Sequence, residues 1–212
     1  MKNNHNIYIT NHRKKEKEIV PFEFYSTHKN SVRTFLTEFL IDHQIKYAWE
    51  PACGLGNISK VLEEFGIKHI SSDIVDRTPQ LNNFIGGLDF LEQKDLIDGF
   101  DTIITNPPFK YAEEFVKKAA ELNPEKYIIM YLKLTFLEGK KRYKLFQDFK
   151  PSKIYIHPSR QGCSPEGKEE FNNGGAVCYA WYVWETDDLV LINGKDKIKR
   201  DHTDIYWLPL NS

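Results

Sequence analysis

Residues 47–57, which read YAWEPACGLGN, decide the fold of this chain because they join a short apolar strand to a helix through a glycine turn. Apolar residues at helical spacing over residues 58–65 predict that helix. Gly54 and Gly56 let the backbone approach a ligand closely, and the first N–H groups of the helix can bind an electron-rich group. The third glycine of the dinucleotide fingerprint is missing, so the stretch fits NAD poorly.

A second strand is predicted over residues 67–72 (IKHISS), and Asp73 follows it. Asp73 lies about 20 residues after Gly54, which is where doubly wound folds place the acid that binds ribose hydroxyls. Taken alone, Glu50 or Asp73 could also be a solvated carboxylate at the end of a strand. It is the order of the segments that predicts a nucleotide-binding corner.

A third turn, over residues 87–91 (GLDFL), offers Asp89 as an acceptor for an adenine amino group and Phe90 as an apolar face beside it. Two other interpretations stay open at this turn. Phe90 could belong to the core, and Asp89 could cap a helix that begins near Glu92.

The segment NPPF begins at Asn106, directly after the apolar run TIIT of residues 102–105. Pro107 and Pro108 remove two N–H donors and fix the turn, so the Asn106 side-chain oxygen and the Pro107 carbonyl can both accept from one amino group. Phe109 can then stack on the ring that carries this group. A Pro-Pro turn after a strand is structurally ordinary, so the motif gains its meaning from the segments before it.

The segment FYSTHK of residues 24–29 stands before a helical pattern of apolar residues that ends at Leu40. The hydroxyl of Thr27 could bind a ligand, or it could be the N-cap of that helix.

In this order, the segments resemble those of adenine-specific DNA methyltransferases that use S-adenosylmethionine, including the small stand-alone forms found in phages. The resemblance covers residues 22–184, and His28 stands where the family usually carries proline. It implies that the catalytic residues are Asn106, Pro107, Pro108 and Phe109. It implies that the cofactor-binding residues are Tyr25, Thr27, Glu50, Pro51, Ala52, Gly54, Gly56, Asp73, Ile74, Asp89 and Phe90.

The same resemblance implies a class I methyltransferase fold, which is an α/β, Rossmann-like, mostly parallel seven-stranded sheet with one late antiparallel strand and helices on both faces. The rest of the pattern agrees, since a helix is predicted over residues 112–122 and strands over 127–132, 153–157 and 176–184. We expect an N-terminal extension (1–21), one catalytic domain (22–185) and a C-terminal tail (186–212) too short for a separate target-recognition domain.

The net charge of −1 argues against a uniformly basic nucleic-acid binder, so contacts with DNA should come from local patches. The candidates are Lys140, Lys141 and Arg142, then Arg160 in a later loop, and a basic cluster over residues 13–17. Charge runs are usually solvated faces, and that interpretation stays open. A second aromatic wall of a base pocket could come from Phe171, Tyr179 or Trp181, although core packing would explain each of them.

The three cysteines lack paired metal-ligand spacing, so no metal site is expected. With no signal peptide or long apolar run, the sequence predicts reduced thiols, a cytoplasmic location and no membrane association. DNA is the expected partner, with a further recognition subunit as an option, and no feature specifies an oligomeric state.

Other substrates suit the same motif. Structured RNA presents exocyclic amines without needing an auxiliary domain. A protein glutamine amide is another option, although the relatives that methylate it usually carry tyrosine at position 109. A cofactor-binding partner subunit without catalytic activity is the weakest option, because Asn106, Gly54 and Gly56 are all present.

Overall fold

Eight strands form one central sheet in the residues that the computed structural model describes, namely 25–77, 80–97, 99–159, 163–165, 177–186 and 201–210. In chain order, the strands are β1 Tyr25–Thr27, β2 Tyr47–Glu50, β3 Lys68–Asp73, β4 Phe84–Gly86, β5 Thr102–Thr105, β6 Tyr127–Lys133, β7 Lys153–Ile156, β8 Cys163–Pro165, β9 Tyr179–Glu185 and β10 Asp204–Trp207. The helices are α1 Lys29–Phe39, α2 Asn57–Glu64, α3 Ala112–Leu122 and α4 Tyr143–Asp148.

The strand order of the main sheet is β10-β7-β9-β6-β5-β2-β3-β4. Strand β9 runs antiparallel to both of its neighbours, β6 and β7, and the other neighbouring pairs are parallel. The predicted mostly parallel sheet with a late antiparallel strand is therefore confirmed. Strands β1 and β8 pair with each other in a separate antiparallel ribbon.

The sheet has one strand more than the seven predicted. Strand β10 comes from the segment expected to be a tail, and it adds to the edge of the sheet in parallel with β7. Three consecutive strand-forming residues, Ile205, Tyr206 and Trp207, are the only signal for this strand in the sequence. Such a short run is recognisable as a strand only when the neighbour that supplies its hydrogen bonds is known.

Helices cover both faces of the sheet, as predicted. Helices α1 and α2 pack on one face through a cluster that includes Phe35, Leu36, Val61 and Leu62. Helix α3 packs on the other face in a second cluster, to which α4 contributes Leu145. The central strands are buried on both sides, which explains why their sequences are continuous apolar runs.

The elements predicted from the sequence lie close to their expected positions. Helix α3 has the predicted bounds, and α2 and β3 differ from prediction by a single residue at either end. Strand β9 begins at Tyr179, later than expected. Among the described residues, no helix is both long enough and apolar enough to cross a membrane.

Parallel pairing brings the carboxyl ends of β2, β3 and β5 to one edge of the sheet. Each of these ends leads into one of the segments singled out in the sequence: the glycine turn, Asp73 and the Asn-Pro-Pro turn. In open α/β sheets, this edge is where ligands bind.

Gly56 provides a test of the turn between β2 and α2. Its φ of +71° is the left-handed conformation, and a Cβ at this position would lie 2.5 Å from Leu81 Cδ1. Gly66 has a similar φ of +67° but open space around the same position. We expect Gly66→Ala to cost about 1 kcal/mol in free energy of unfolding from backbone strain alone, and Gly56→Ala to cost more because Leu81 must also move. Urea unfolding of both variants checks this, and equal losses would contradict the proposed contact.

Candidate active site

A cavity of about 520 Å³ lies at the carboxyl edge of the sheet. Twelve predicted site residues line it: Tyr25, Thr27, Glu50, Pro51, Ala52, Asp73, Ile74, Asp89, Phe90, Asn106, Pro107 and Pro108. The segments quoted from the sequence therefore meet in one place. The predicted residues Gly54, Gly56 and Phe109 are absent from the cavity lining.

The glycine turn is anchored to the end of β3. Gly54 and Gly56 have φ values of +55° and +71°, so both positions need the conformational freedom of glycine. The Gly54 N–H donates to Asp73 Oδ2 at 2.8 Å, and the Cys53 N–H donates to the Ser72 carbonyl at 3.0 Å. These bonds fix the turn against β3. The two glycines therefore support the wall of the cavity without lining it.

The Asp73 carboxylate has several partners within the protein. Its Oδ2 accepts from the Gly54 N–H. Its Oδ1 accepts from the Val75 N–H at 2.9 Å and from the Arg77 guanidinium at 2.8 Å. Arg77 also lines the cavity, and the sequence interpretation missed it. Its position four residues after Asp73 was a weak signal, since many such pairs lie on solvent-exposed surfaces. Binding of ribose by Asp73 stays a prediction, and the structure places Arg77 beside that position.

Glu50 is buried at the end of β2, with 2% of its surface exposed. Its Oε2 accepts from the Ser59 N–H at 2.8 Å and from the Ser59 hydroxyl, which also contacts the Ser71 hydroxyl. Burial raises the pKa of Glu50 to about 8, against which the Ser59 hydrogen bonds act. Burial of the Cys53 side chain is the main cause that raises the pKa of its thiol, so the thiol stays protonated.

Strand β1 connects the cofactor side of the cavity to the Asn-Pro-Pro turn. Asn57, the first residue of α2, donates through Nδ2 to the Ser26 hydroxyl at 2.7 Å and the Thr27 carbonyl at 2.9 Å. His28 is the N-cap of α1, because its side chain accepts from the Asn30 N–H. Thr27 is therefore not that cap, and its hydroxyl points to Asn106.

Asn106 has a fixed amide orientation. Its Nδ2 donates to the Tyr25 carbonyl and to Thr27 Oγ1, both at 2.9 Å. Because a backbone carbonyl can only accept, the amide cannot be flipped. The other end of the amide, Oδ1, is shielded from solvent and has no hydrogen-bond partner among the described residues. An unsatisfied buried acceptor is costly and needs an explanation, and a ligand donor is one.

The rest of the turn divides between two environments. Pro107 and Pro108 line the cavity, and the Pro108 carbonyl accepts from the Tyr111 N–H at 2.9 Å. Phe109 packs instead against the core on the α1 side. Its ring centroid lies 4.9 Å from that of Tyr25, and the Lys133 ammonium lies 4.1 Å from the ring.

At the third turn, both interpretations left open by the sequence hold in part. Asp89 is the N-cap of a short 3₁₀ helix, Phe90–Glu92, and its Oδ1 accepts from the Leu91 N–H at 2.9 Å. Phe90 is buried and packs against Trp49, and both Asp89 and Phe90 also line the cavity.

Both described candidates for a second aromatic wall are buried in the core. Trp181 is fully buried and stacks on Phe35 with a centroid distance of 4.7 Å, so it belongs to the core. Tyr179 is buried as well and stacks on Tyr131 with a centroid distance of 5.3 Å, and its ring centroid lies 5.5 Å from that of Phe109, next to the Asn-Pro-Pro turn. Phe171 lies outside the described residues.

The basic candidates have different surroundings. Lys140 and Lys141 are exposed, whereas the Arg142 guanidinium donates to the carbonyls of Thr135, Phe136 and Glu138. Arg142 thus stabilises its own turn. Arg160 and the cluster over residues 13–17 lie outside the described residues.

Several cavity residues were not predicted. Asn57, Lys110 and Tyr111 directly follow motifs that were recognised, namely the glycine turn and the NPPF segment. A polar residue immediately after a ligand-binding turn is a usable signal. For Arg77, the only signal in the sequence was its spacing of four residues from Asp73.

Solved structures share this fold. A type I restriction-modification system methyltransferase subunit from Streptococcus thermophilus superposes with a TM-score of 0.56 at 13% identity, over 87% of this chain and 47% of that one. A Pyrococcus horikoshii protein with a proposed RNA methyltransferase function gives 0.53 at 17% identity, over 84% and 95%. An S-adenosylmethionine-dependent methyltransferase from Archaeoglobus fulgidus gives 0.50 at 13% identity, over 74% and 94%.

The chain spans about half the length of the Streptococcus subunit. No protein-family model and no curated protein sequence matches the chain. The structural similarities confirm the predicted fold, which is the class I methyltransferase fold, a mostly parallel Rossmann-like sheet covered by helices on both faces.

Glu50→Gln tests the electrostatics of the cavity. The ordinary glutamate pKa of 4.5 applies to the unfolded chain, and burial raises it to about 8 in the folded protein. Ionisation therefore opposes folding, and the contribution of Glu50 to the free energy of unfolding falls as pH rises from about 4.5 to about 8. Glutamine cannot ionise, so we expect Glu50→Gln to become increasingly stable relative to wild type over this range.

Urea unfolding of both proteins across that range measures the difference. Burial lowers the pKa of His157 to about 4, but His157 is present in both proteins and cancels. A difference in unfolding free energy that does not change with pH would contradict the buried carboxyl group.

Proposed function

We propose that this protein transfers a methyl group from S-adenosylmethionine to the N6 amino group of adenine in DNA. The observation that carries the proposal is the Asn106 amide, whose two donors are used by β1 while its buried oxygen has no partner among the described residues. A fixed acceptor at the edge of a cavity suits an exocyclic amine, which offers two N–H donors.

The cavity suits S-adenosylmethionine chemically. Its volume of about 520 Å³ lies within the usual range for small-molecule sites. We assign Glu50, at the end of β2, to the ammonium group of the cofactor. Asp73, at the end of β3, is assigned to the ribose hydroxyls, and Asp89, in the third turn, to the adenine amino group. All three are carboxylates, which can accept hydrogen bonds from these donors. Ile74 and Phe90 add apolar surface for the adenine ring. The bound cofactor would supply an electrophilic methyl group on a sulfonium leaving group.

The chemistry needs little more than positioning. The Asn106 side-chain oxygen and the Pro107 carbonyl would each accept one N–H of the adenine amino group, which localises electron density on the nitrogen. The bonds of Nδ2 already fix the orientation of the Asn106 amide, which limits the reorganisation needed as charge develops. Alignment of the nitrogen with the methyl group accounts for most of the expected rate, and a strong general base is unnecessary.

A base in a duplex must leave the stack to reach this position, at a cost of a few kcal/mol. Stacking on Phe109 would offset part of that cost once the Lys133 ammonium, which lies over that ring, has moved aside. The NPPF motif and its order after the glycine turn favour DNA adenine as substrate. Phenylalanine at position 109 speaks against a protein glutamine amide. An unpaired amine in RNA has the same chemistry as adenine in DNA and is therefore included in the test.

The test is transfer of labelled methyl from S-adenosylmethionine to single- and double-stranded DNA, RNA and protein, followed by nucleoside analysis. We expect N6-methyladenine from DNA, and none from the Asn106→Ala variant, which lacks the acceptor. Cofactor affinity of that variant, measured by calorimetry, should change far less than turnover. Label retained by RNA or protein and not by DNA would overturn the substrate while leaving the cofactor assignment standing.

Thr27→Val tests the positioning of Asn106. Valine has the shape of threonine but cannot accept the hydrogen bond from Nδ2. Losing one such bond is worth about 1 kcal/mol, so we expect kcat to fall about fivefold. Ser26→Ala is the matched control, because Ser26 bonds Asn57 rather than Asn106. An equal loss of kcat in both variants would show that β1 acts only as a structural support.

A further inference from the structure

A shallow groove lies outside the cavity, lined by Leu137, Gly139, Lys140, Tyr143 and Phe146. We call it the 137–146 groove. Two of its large side chains are exposed to solvent, Tyr143 at 68% and Leu137 at 42%. Concave surface with exposed aromatic and aliphatic groups is typical of a binding site.

The groove is held in shape by Arg142. Its guanidinium donates to the carbonyls of Thr135 and Phe136, at 3.2 and 2.8 Å, and to that of Glu138. Gly139 has a φ of +110°, a conformation that other residues rarely adopt. The turn that carries the groove is therefore preformed, which lowers the entropic cost of binding.

The charges around the groove are open to a ligand. Lys140, Lys141 and Lys144 are exposed, and within the described part of the chain no hydrogen bond or ion pair engages their ammonium groups. Arg142 is already used by the turn. In a protein with a net charge of −1, three such lysines beside an exposed tyrosine form a local basic patch.

The groove follows β6, which lies next to the strand that leads into the Asn-Pro-Pro turn. Strand β6 ends at Lys133, whose ammonium lies over the Phe109 ring, and the chain continues directly into the 3₁₀ helix Leu134–Leu137 that begins the groove. Strand β6 is the neighbour of β5, the strand that leads into Asn106. The groove therefore begins at the same carboxyl edge of the sheet as Asn106.

We propose that the 137–146 groove binds the single-stranded nucleotides that flank the target base. The Tyr143 ring stacks on a base, and Lys140 and Lys141 contact the phosphates. Stacking with nearby cations is how proteins hold single strands without reading their sequence. The proposal rests on the proposed function for its substrate class, and its chemistry is shared by DNA and RNA.

The test uses short single-stranded DNA and RNA of the same sequence, with 2-aminopurine beside a central adenine. We expect Tyr143→Ala to raise the Kd from fluorescence anisotropy roughly 5- to 100-fold. Tyr143→Phe keeps the ring and should bind as wild type does. Quenching of 2-aminopurine on binding should persist in Tyr143→Phe and be lost in Tyr143→Ala. Unchanged S-adenosylmethionine affinity shows that both variants are folded.

The charge is tested separately. For single strands, the slope of log K against log salt changes by about 0.7 for each phosphate that the protein neutralises, so Lys140→Gln and Lys141→Gln should each make the slope shallower by that amount. The DNA and RNA arms identify which strand the groove prefers. Tyr143→Ala with wild-type affinity for both strands overturns the proposal. Failure of the proposed function has a different signature, since N6-methyladenine would be absent while the Tyr143 dependence of binding persisted.

Discussion

The hydrogen bonds from the Asn106 amide nitrogen to β1 are the interaction on which the candidate active site depends. They use both donors of the amide and leave its oxygen as a buried acceptor. The same strand is bonded by Asn57 at the start of α2, and it pairs with β8 along its length. A short strand remote in sequence from the Asn-Pro-Pro turn thus fixes the orientation of the Asn106 amide. It also links that turn to the helix that borders the cavity.

The carboxylates of the cavity have structural roles. Asp73 accepts hydrogen bonds from the Gly54 N–H in the glycine turn and from Arg77. Glu50 accepts a hydrogen bond from the Ser59 N–H in the first turn of α2. Each carboxylate oxygen can accept more than one bond, so these contacts are compatible with a ligand. Burial favours the protonated form of Glu50 in spite of its hydrogen bonds to Ser59, and an ammonium group bound in the cavity would favour the ionised form.

The sequence predicts the parts of this structure that depend on local patterns. Helix α3 has a clear apolar face and a helix-ending Asn-Pro pair, and its bounds were predicted correctly. The direction of the Phe109 ring, the β1 contacts of Asn106 and strand β10 depend on residues far apart in the chain. Trp181 shows the limit most clearly, since an aromatic strand residue can face the core or a ligand, and only its contact with Phe35 decides between them.

The Asn-Pro-Pro turn divides the carboxyl edge of the sheet into two sides. Toward β2 and β3 lie the cavity and its carboxylates, and toward β6 and β9 lie Phe109, Lys133 and Tyr179. Asn106 lies at the boundary between the two sides. In the proposed reaction, its amide would orient the substrate amine toward the cofactor in the cavity. Under the proposed function, cofactor affinity arises on the first side and selection of the substrate strand on the second. Tyr25 connects the two sides, because it lines the cavity while its ring packs against Phe109, so a change at the Phe109 side can reach the cavity through this residue.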